Sequence, residues 1–162
     1  MKVTFAGNPV ELQGNEVKVG QKGAIFNAVN NDLSQFSLSS IQGRKLIVAV
    51  PSLDTSVCDA EVRRFNKEAA ALDNTTVITI SMDLPFAQAR WCGAAAIDKV
   101  ITVSDHKDRD FAFKYGAYLP NVGLLARAIF VLDEHNTVTY VEYVSEVTSH
   151  PNYESALAAL KN

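Results

Sequence analysis

The chain holds two cysteines, Cys58 and Cys92, and Cys58 sits where chemistry is easy to arrange. Cys58 closes the stretch P-S-L-D-T-S-V-C, which runs from Pro51 between an apolar run and a helical pattern. A thiol at a helix N-terminus meets outward-pointing backbone N–H groups and the positive end of the helix dipole. Both favour the thiolate, which is the nucleophilic form of sulfur. Thr55 lies three residues earlier, one helical turn away and on the same face, so its hydroxyl can serve a group bound beside the sulfur. Pro51 has a fixed φ and no N–H, which suits a rigid, dry wall. Plainer roles remain open: a buried spacer thiol for Cys58, a helix cap for Thr55 and a loop opener for Pro51. Asp54 and Asp59 oppose the thiolate by like-charge repulsion.

Cys92 lies 34 positions later in R-W-C-G, beside the only tryptophan, Trp91. Neither cysteine belongs to a C-x-x-C pair, and His106, His135 and His150 lack ligand spacing, so no metal centre is predicted. A thioredoxin-type exchanger would need C-x-x-C at the helix start. No G-x-G-x-x-G or Walker loop occurs, so no nucleotide cofactor is implied. A cysteine hydrolase has no local signature here.

The elements that position these residues read as a mixed α/β pattern. A sequence of 162 residues with 48% hydrophobic and 20% charged residues predicts one domain over 1–162 with its own core. Residues 3–20 alternate and turn at Gly7-Asn8 and Gly14-Asn15, which predicts short hairpin strands, followed by a short strand at 36–38. Apolar runs at 45–50, 76–81 and 100–104 predict buried strands, and residues 127–133 and 137–144 predict a hairpin. Helices are predicted at 56–72, with Val62, Phe65, Ala69 and Leu72 on one face, at 85–93 behind Pro85, at 109–116 and at 152–160. This order predicts a mixed central sheet with helices on both faces. Such sheets place their sites beyond the carboxyl ends of the strands, where Cys58 falls.

Net charge is -3 with no basic cluster, which excludes a nucleic-acid footprint. The apolar runs are too short for a membrane span, and Lys2 is followed by too short an apolar run for a signal peptide. A soluble, cytoplasmic protein is expected.

The pattern Pro51-x-x-x-Thr55-x-x-Cys58, after a strand and opening a helix, resembles the peroxiredoxin signature. Together with D-L-P-F-A-Q-A-R-W-C-G at 83–93, N-V-G-L-L-A-R-A-I-F-V-L-D at 121–133 and P-N-Y-E-S-A-L near the end, it resembles the thiol peroxidase subfamily over essentially the whole chain. The resemblance implies a thioredoxin-like fold with an added N-terminal hairpin. It implies that Cys58 attacks the peroxide, Thr55 hydrogen-bonds it, Pro51 shields it and Arg127 completes the site. Cys92 would resolve the sulfenic acid as an intrachain disulfide. Thioredoxin would be the reductant, a homodimer the assembly, and hydrogen peroxide and alkyl hydroperoxides the substrates.

Chemistry asks for the same parts. Attack on a peroxide oxygen leaves negative charge on the departing oxygen, which Thr55, the Cys58 N–H and Arg127 would stabilise. Arg127 opens a strand beside the core, an odd place for a permanent cation, although a strand-end arginine can equally pair with a surface carboxylate. A disulfide needs Cα atoms roughly 4.4–6.8 Å apart. Two cysteines on different helices are not expected to meet that condition, so local unwinding at both is predicted, eased by Gly93. Cys92 could otherwise be a plain helix-packing thiol.

Two features depart from the subfamily pattern. Ala94-Ala95-Ala96 stand where an acidic residue and a further glycine are usual, which favours helix and slows unwinding, and Trp91 stands where phenylalanine is expected. A non-enzymatic peroxide sensor using the same disulfide is the competing reading; repeated turnover separates the two.

Overall fold

The computed structural model describes residues 1–69, 71–95 and 100–161. Its centre is a seven-stranded sheet. The three inner strands, β5 (Arg44–Ala49), β6 (Thr75–Ser81) and β7 (Val100–Ser104), run parallel. On one side β10 (Ala128–Leu132) and β11 (Val138–Tyr143) continue antiparallel, and on the other β3 (Asn27–Val29) and β4 (Gln35–Ser37) do the same. The order across the sheet is β11-β10-β5-β6-β7-β3-β4.

Alternation along the strands divides the core. Leu46, Val48 and Val50 face one layer with Val77 and Ile129. There they meet α1 (Ser56–Glu68) through Val62 and Phe65, and α4 (Tyr153–Lys161) through Tyr153, Ala156 and Leu160. Ile47, Ala49, Ile78, Ile80 and Phe130 face the other layer, an aromatic cluster of Phe26, Phe36, Phe111 and Tyr115 that includes α3 (Asp110–Lys114). Both faces are covered, so β5 is continuously apolar from Leu46 to Ala49 rather than alternating. α2 (Pro85–Ala95) packs on β7, with Gln88 Nε2 donating to Ser81 Oγ at 3.0 Å and to the Val103 carbonyl at 2.8 Å.

Outside the main sheet, β1 (Lys2–Phe5) and β2 (Asn8–Glu11) form a hairpin over a third apolar cluster that includes Val3, Val10, Leu119 and Val147. β8 (Tyr118–Leu119) and β9 (Leu124–Leu125) make a small second pair.

The mixed sheet, the four helices and the N-terminal hairpin agree with the sequence pattern. Several details differ. The first turn is at Ala6-Gly7, where both residues have positive φ, and no hairpin forms about Gly14. Residues 12–26 instead run irregularly, bridging Gln13 to Tyr118 and Lys22 to Thr137, because this stretch covers the edge of the core rather than pairing with itself. The strand expected at 36–38 is Gln35–Ser37, and Leu38 begins a 3-10 turn capped by the Ser37 side chain. Arg127 lies one residue before β10 instead of opening it. β3, β8 and β9 were not legible, being only two or three residues long. The expected helix at 56–72 spans Ser56–Glu68, with Ala70 outside the described residues. Among those residues, no helix is long and apolar enough to cross a membrane.

Candidate active site

β5 ends at Ala49, and the chain leaves the sheet at Val50 and Pro51, both buried. The loop that follows is held by Asp83, just past β6. Its carboxylate accepts from Ser52 Oγ at 2.7 Å, the Leu53 N–H at 2.8 Å and Ser81 Oγ at 2.8 Å. Thr55 then caps α1: its φ of -90° and ψ of 149° are extended, and its hydroxyl accepts from the Cys58 N–H at 3.4 Å. That hydroxyl donates to the Ser52 carbonyl at 3.1 Å. Two of the three groups expected to serve a bound oxygen are thus engaged within the loop, the Cys58 amide with Thr55 and the Thr55 proton with Ser52.

Cys58 is fully buried on the inner face of α1. Its sulfur accepts from Arg127 Nη2 at 3.1 Å. Arg127 is itself only 2% exposed, and three contacts fix its planar head. Nε donates to the Val147 carbonyl at 2.8 Å, Nη1 to Glu61 Oε2 at 2.5 Å, and Nη2 to the sulfur. Its backbone is fixed as well, because the Val144 N–H donates to its carbonyl at 3.0 Å. A lysine could not reproduce this fork. The fixed guanidinium holds the sulfur in one place beside a permanent positive charge.

Glu61 was not singled out in the sequence, yet it is fully buried and is the counterion of the site. Burial pushes its carboxyl up to about 7, against the downward pull of Arg127 and with a small upward contribution from Glu142. Its second oxygen, Oε1, has no hydrogen-bond partner, which adds to the cost of the charged form. Burial lowers Arg127, but the Glu61 and Cys58 charges outweigh it and hold the guanidinium firmly protonated. One signal for Glu61 was present in the sequence. A glutamate one turn after Cys58, adjoining Val62 on the apolar face, must be buried and must find a cation.

A cavity of about 290 Å³ opens at the start of α1. Pro51, Thr55, Val57 and Arg127 line it, so three of the predicted residues meet at its wall and Arg127 joins it to Cys58. Asp54 is exposed to water, and Asp59 is engaged by Arg63 and Trp91, so neither carboxylate is aimed freely at the sulfur.

Cys92 is apart from this group. Its sulfur lies 3.4 Å from Thr102 Oγ1 on β7, and both cysteines are free thiols. No disulfide joins the two cysteines in this structure. Ala94 and Ala95 continue α2 beyond Gly93, while Ala96 lies outside the described residues. The arrangement as a whole offers a buried sulfur nucleophile, a charge-fixing guanidinium and a small cavity with largely apolar walls.

Comparison with known proteins shows the family. The Redoxin family matches residues 13–157. A thiol peroxidase of Bacillus subtilis (strain 168) is 55% identical over 161 residues, spanning 99% of this chain and 96% of the relative. One from Streptococcus pneumoniae (strain ATCC BAA-255 / R6) is 51% identical over 160 residues, spanning 98% of each. Among solved structures, a peroxiredoxin-like protein from Aquifex aeolicus superimposes with a TM-score of 0.91 at 39% identity, over 99% of this chain and 95% of that one. A thiol peroxidase from Chromobacterium violaceum gives the same TM-score at 22% identity over the same shares, and shares the fold.

Proposed function

The chain belongs to the Redoxin family, among its thiol peroxidases, and we propose that Cys58 and Cys92 carry its chemistry as attacking and resolving thiols. The fold is thioredoxin-like with an added N-terminal hairpin, and the activity is thiol-dependent reduction of peroxides. The 3.1 Å contact between Arg127 Nη2 and the Cys58 sulfur carries the residue assignment.

In the proposed cycle the Cys58 thiolate attacks the terminal oxygen of a hydroperoxide. The S–O bond forms as the O–O bond breaks, and the alkoxide or hydroxide leaves with the electron pair and takes a proton. Sulfur is oxidised by two electrons to the sulfenic acid. Arg127 faces the charge moving from sulfur to oxygen. Thr55 turns its hydroxyl from Ser52 to the peroxide, and Pro51 keeps that side of the cavity dry. The Cys92 thiol then attacks the Cys58 sulfur, forming the disulfide and releasing water. A dithiol protein returns two electrons and two protons; thioredoxin is that partner by family resemblance. A homodimer and a cytoplasmic location belong to the same proposal.

One equivalent of peroxide added to reduced protein tests the assignment, read as intact mass under non-reducing, thiol-blocking conditions. The expected product is a monomer lighter by two hydrogens, absent from Cys58→Ser and Cys92→Ser, with Cys92→Ser gaining oxygen instead. An unmodified wild type with peroxide persisting overturns the role of Cys58. An exclusively interchain dimer overturns that of Cys92.

A further inference from the structure

Asp83 has no part in the chemistry described so far, yet it grips the turn that leads to Cys58. Its Oδ1 accepts from Ser52 Oγ at 2.7 Å, and its Oδ2 from the Leu53 N–H at 2.8 Å. Ser52 is the hub of that turn. Its hydroxyl accepts from the Asp54 N–H at 3.2 Å while donating to Asp83. Its carbonyl accepts from the Thr55 N–H at 3.3 Å and the Thr55 hydroxyl at 3.1 Å. Thr55 Oγ1 in turn accepts from the Cys58 N–H at 3.4 Å. Leu53 is anchored twice, by its N–H on Asp83 and by its side chain in the buried layer that holds Cys58 and Val62. Hydrogen bonds therefore run from Asp83 through Ser52 and Thr55 to Cys58.

The other side of Asp83 is fixed to the sheet and leads to α2. Its carbonyl accepts from Ser104 Oγ, at the end of β7, at 2.5 Å. Its N–H donates to Ser81 Oγ at 3.2 Å, and that hydroxyl donates back to Oδ2 at 2.8 Å. Ser81 Oγ also accepts from Gln88 Nε2 at 3.0 Å. Gln88 is 1% exposed and lies one turn before Cys92 on α2. A carboxylate only accepts, so the Ser52, Leu53 and Ser81 donors set the direction of each hydrogen bond around it. One side chain thus ties the Cys58 turn to the end of β6, and Ser81 extends the tie to the helix of Cys92.

The two steps of the proposed cycle ask opposite things of this turn. Peroxide attack needs Thr55 held in place, whereas disulfide closure needs the start of α1 to move. Resting on the thiol peroxidase reading, we propose that Asp83 is a positioning residue that serves the first step and restrains the second. It holds Ser52 and Leu53 so that Thr55 stays within reach of the peroxide, and closure waits on their release. The contacts that break are those to Ser52 and Leu53; Asp83 itself stays on the sheet with Ser81 and Ser104.

Single-turnover oxidation by hydrogen peroxide, quenched in acid and read as intact mass, gives both rates. The proteins are wild type, Asp83→Ala, Asp83→Asn and Ser52→Ala. Asp83→Ala is expected to lower the rate of sulfenic acid formation about tenfold, through a misplaced Thr55. It should raise the rate of disulfide closure about tenfold, because the hydrogen bonds to Ser52 and Leu53 no longer hold the turn. Asp83→Asn keeps an oxygen for the Leu53 N–H and the Ser81 hydroxyl, and should bring both rates to within about threefold of wild type. Ser52→Ala removes one contact on the loop side and should shift the two rates in the same opposite directions by about threefold, which decides the question if Asp83→Ala does not fold. Any pattern other than opposite changes in the two rates overturns the proposal. It leaves the peroxidase reading intact so long as wild type oxidises at Cys58 and closes. A wild type that stays reduced while peroxide persists overturns that reading, and this proposal falls with it.

Discussion

The indole Nε1 of Trp91 donates to Asp59 Oδ1 at 2.9 Å, and these two residues are the chain neighbours of Cys92 and Cys58. Arg63 braces the contact. Its Nε donates to Asp59 Oδ2 at 2.8 Å, its Nη1 reaches the Ala95 carbonyl at 3.4 Å, and its guanidinium carbon is 6.0 Å from the Trp91 ring centre. The first turn of α1 is thereby latched to the last turns of α2, while the Cys92 sulfur rests against Thr102. For the proposed disulfide between the two cysteines to form, we expect this latch to open.

Trp91→Phe keeps the ring and removes the donor. A hydrogen bond of this kind is worth about 1 kcal/mol net, so disulfide closure should quicken about fivefold after the sulfenic acid forms. The first oxidation step should keep its rate. Acid-quenched single-turnover mass spectrometry follows both steps without needing tryptophan fluorescence. Unchanged closure would mean that the latch does not limit opening.

Gly93→Ala should act in the opposite direction. A Cβ at Gly93 meets nothing within 4 Å, so packing does not require glycine there. Its consequence is a weaker helix, by about 1 kcal/mol relative to alanine. Disulfide formation should slow about fivefold in the variant, with the initial peroxide reaction unaffected, in the same quenched assay. Equal closure rates would place the unwinding elsewhere than α2.

The sequence and the structure agree where a local pattern decides the outcome. β5, β6 and β7 are short stretches rich in Val and Ile, α1 has its apolar face and cap, and the P-x-x-x-T-x-x-C spacing places Pro51, Thr55 and Cys58 around one loop. Agreement fails where partners come from far along the chain. Glu61 finds Arg127 66 positions away, and Glu146 finds Gly7 139 positions away. Short strands such as β3 and β8 carry too few residues for any periodicity, and exist because a neighbour offers an edge. Cys58 illustrates both conditions: its place at the helix start is local, but its burial beneath Arg127 is not.

Arg127→Met should lose both stability and activity, for separable reasons. The variant strands Glu61 as an uncompensated buried carboxylate, a loss of about 3–5 kcal/mol. Adding Glu61→Gln removes that charge, so the double variant should recover most of the melting temperature. It should not recover the rate, because the guanidinium on the sulfur is still absent, and the peroxide reaction should stay about 10²–10³-fold below wild type. Thermal unfolding and the single-turnover rate with hydrogen peroxide report the two effects. Recovery of both would assign Arg127 a purely structural role.

Glu61 should also impose a pH dependence on stability. Burial, opposed by Arg127, raises its carboxyl from an ordinary 4.5 to about 7 in the folded chain. The folded state therefore binds the proton more tightly than the unfolded state does. The resulting stabilisation is full below about 4.5 and is lost as pH rises through about 7. Across pH 5 to 8 this amounts to a few kcal/mol at most, because a tenfold difference in proton affinity is worth about 1.4 kcal/mol. Asp105, raised to about 6 by its own burial, tilts the curve the same way, so the comparison must be with Glu61→Gln, which retains Asp105. Urea unfolding at several pH values should show wild type losing more stability than the variant between pH 5 and 8. Parallel curves would mean that Arg127 keeps Glu61 ionised throughout this range, and that the unpartnered Oε1 does not hold a proton.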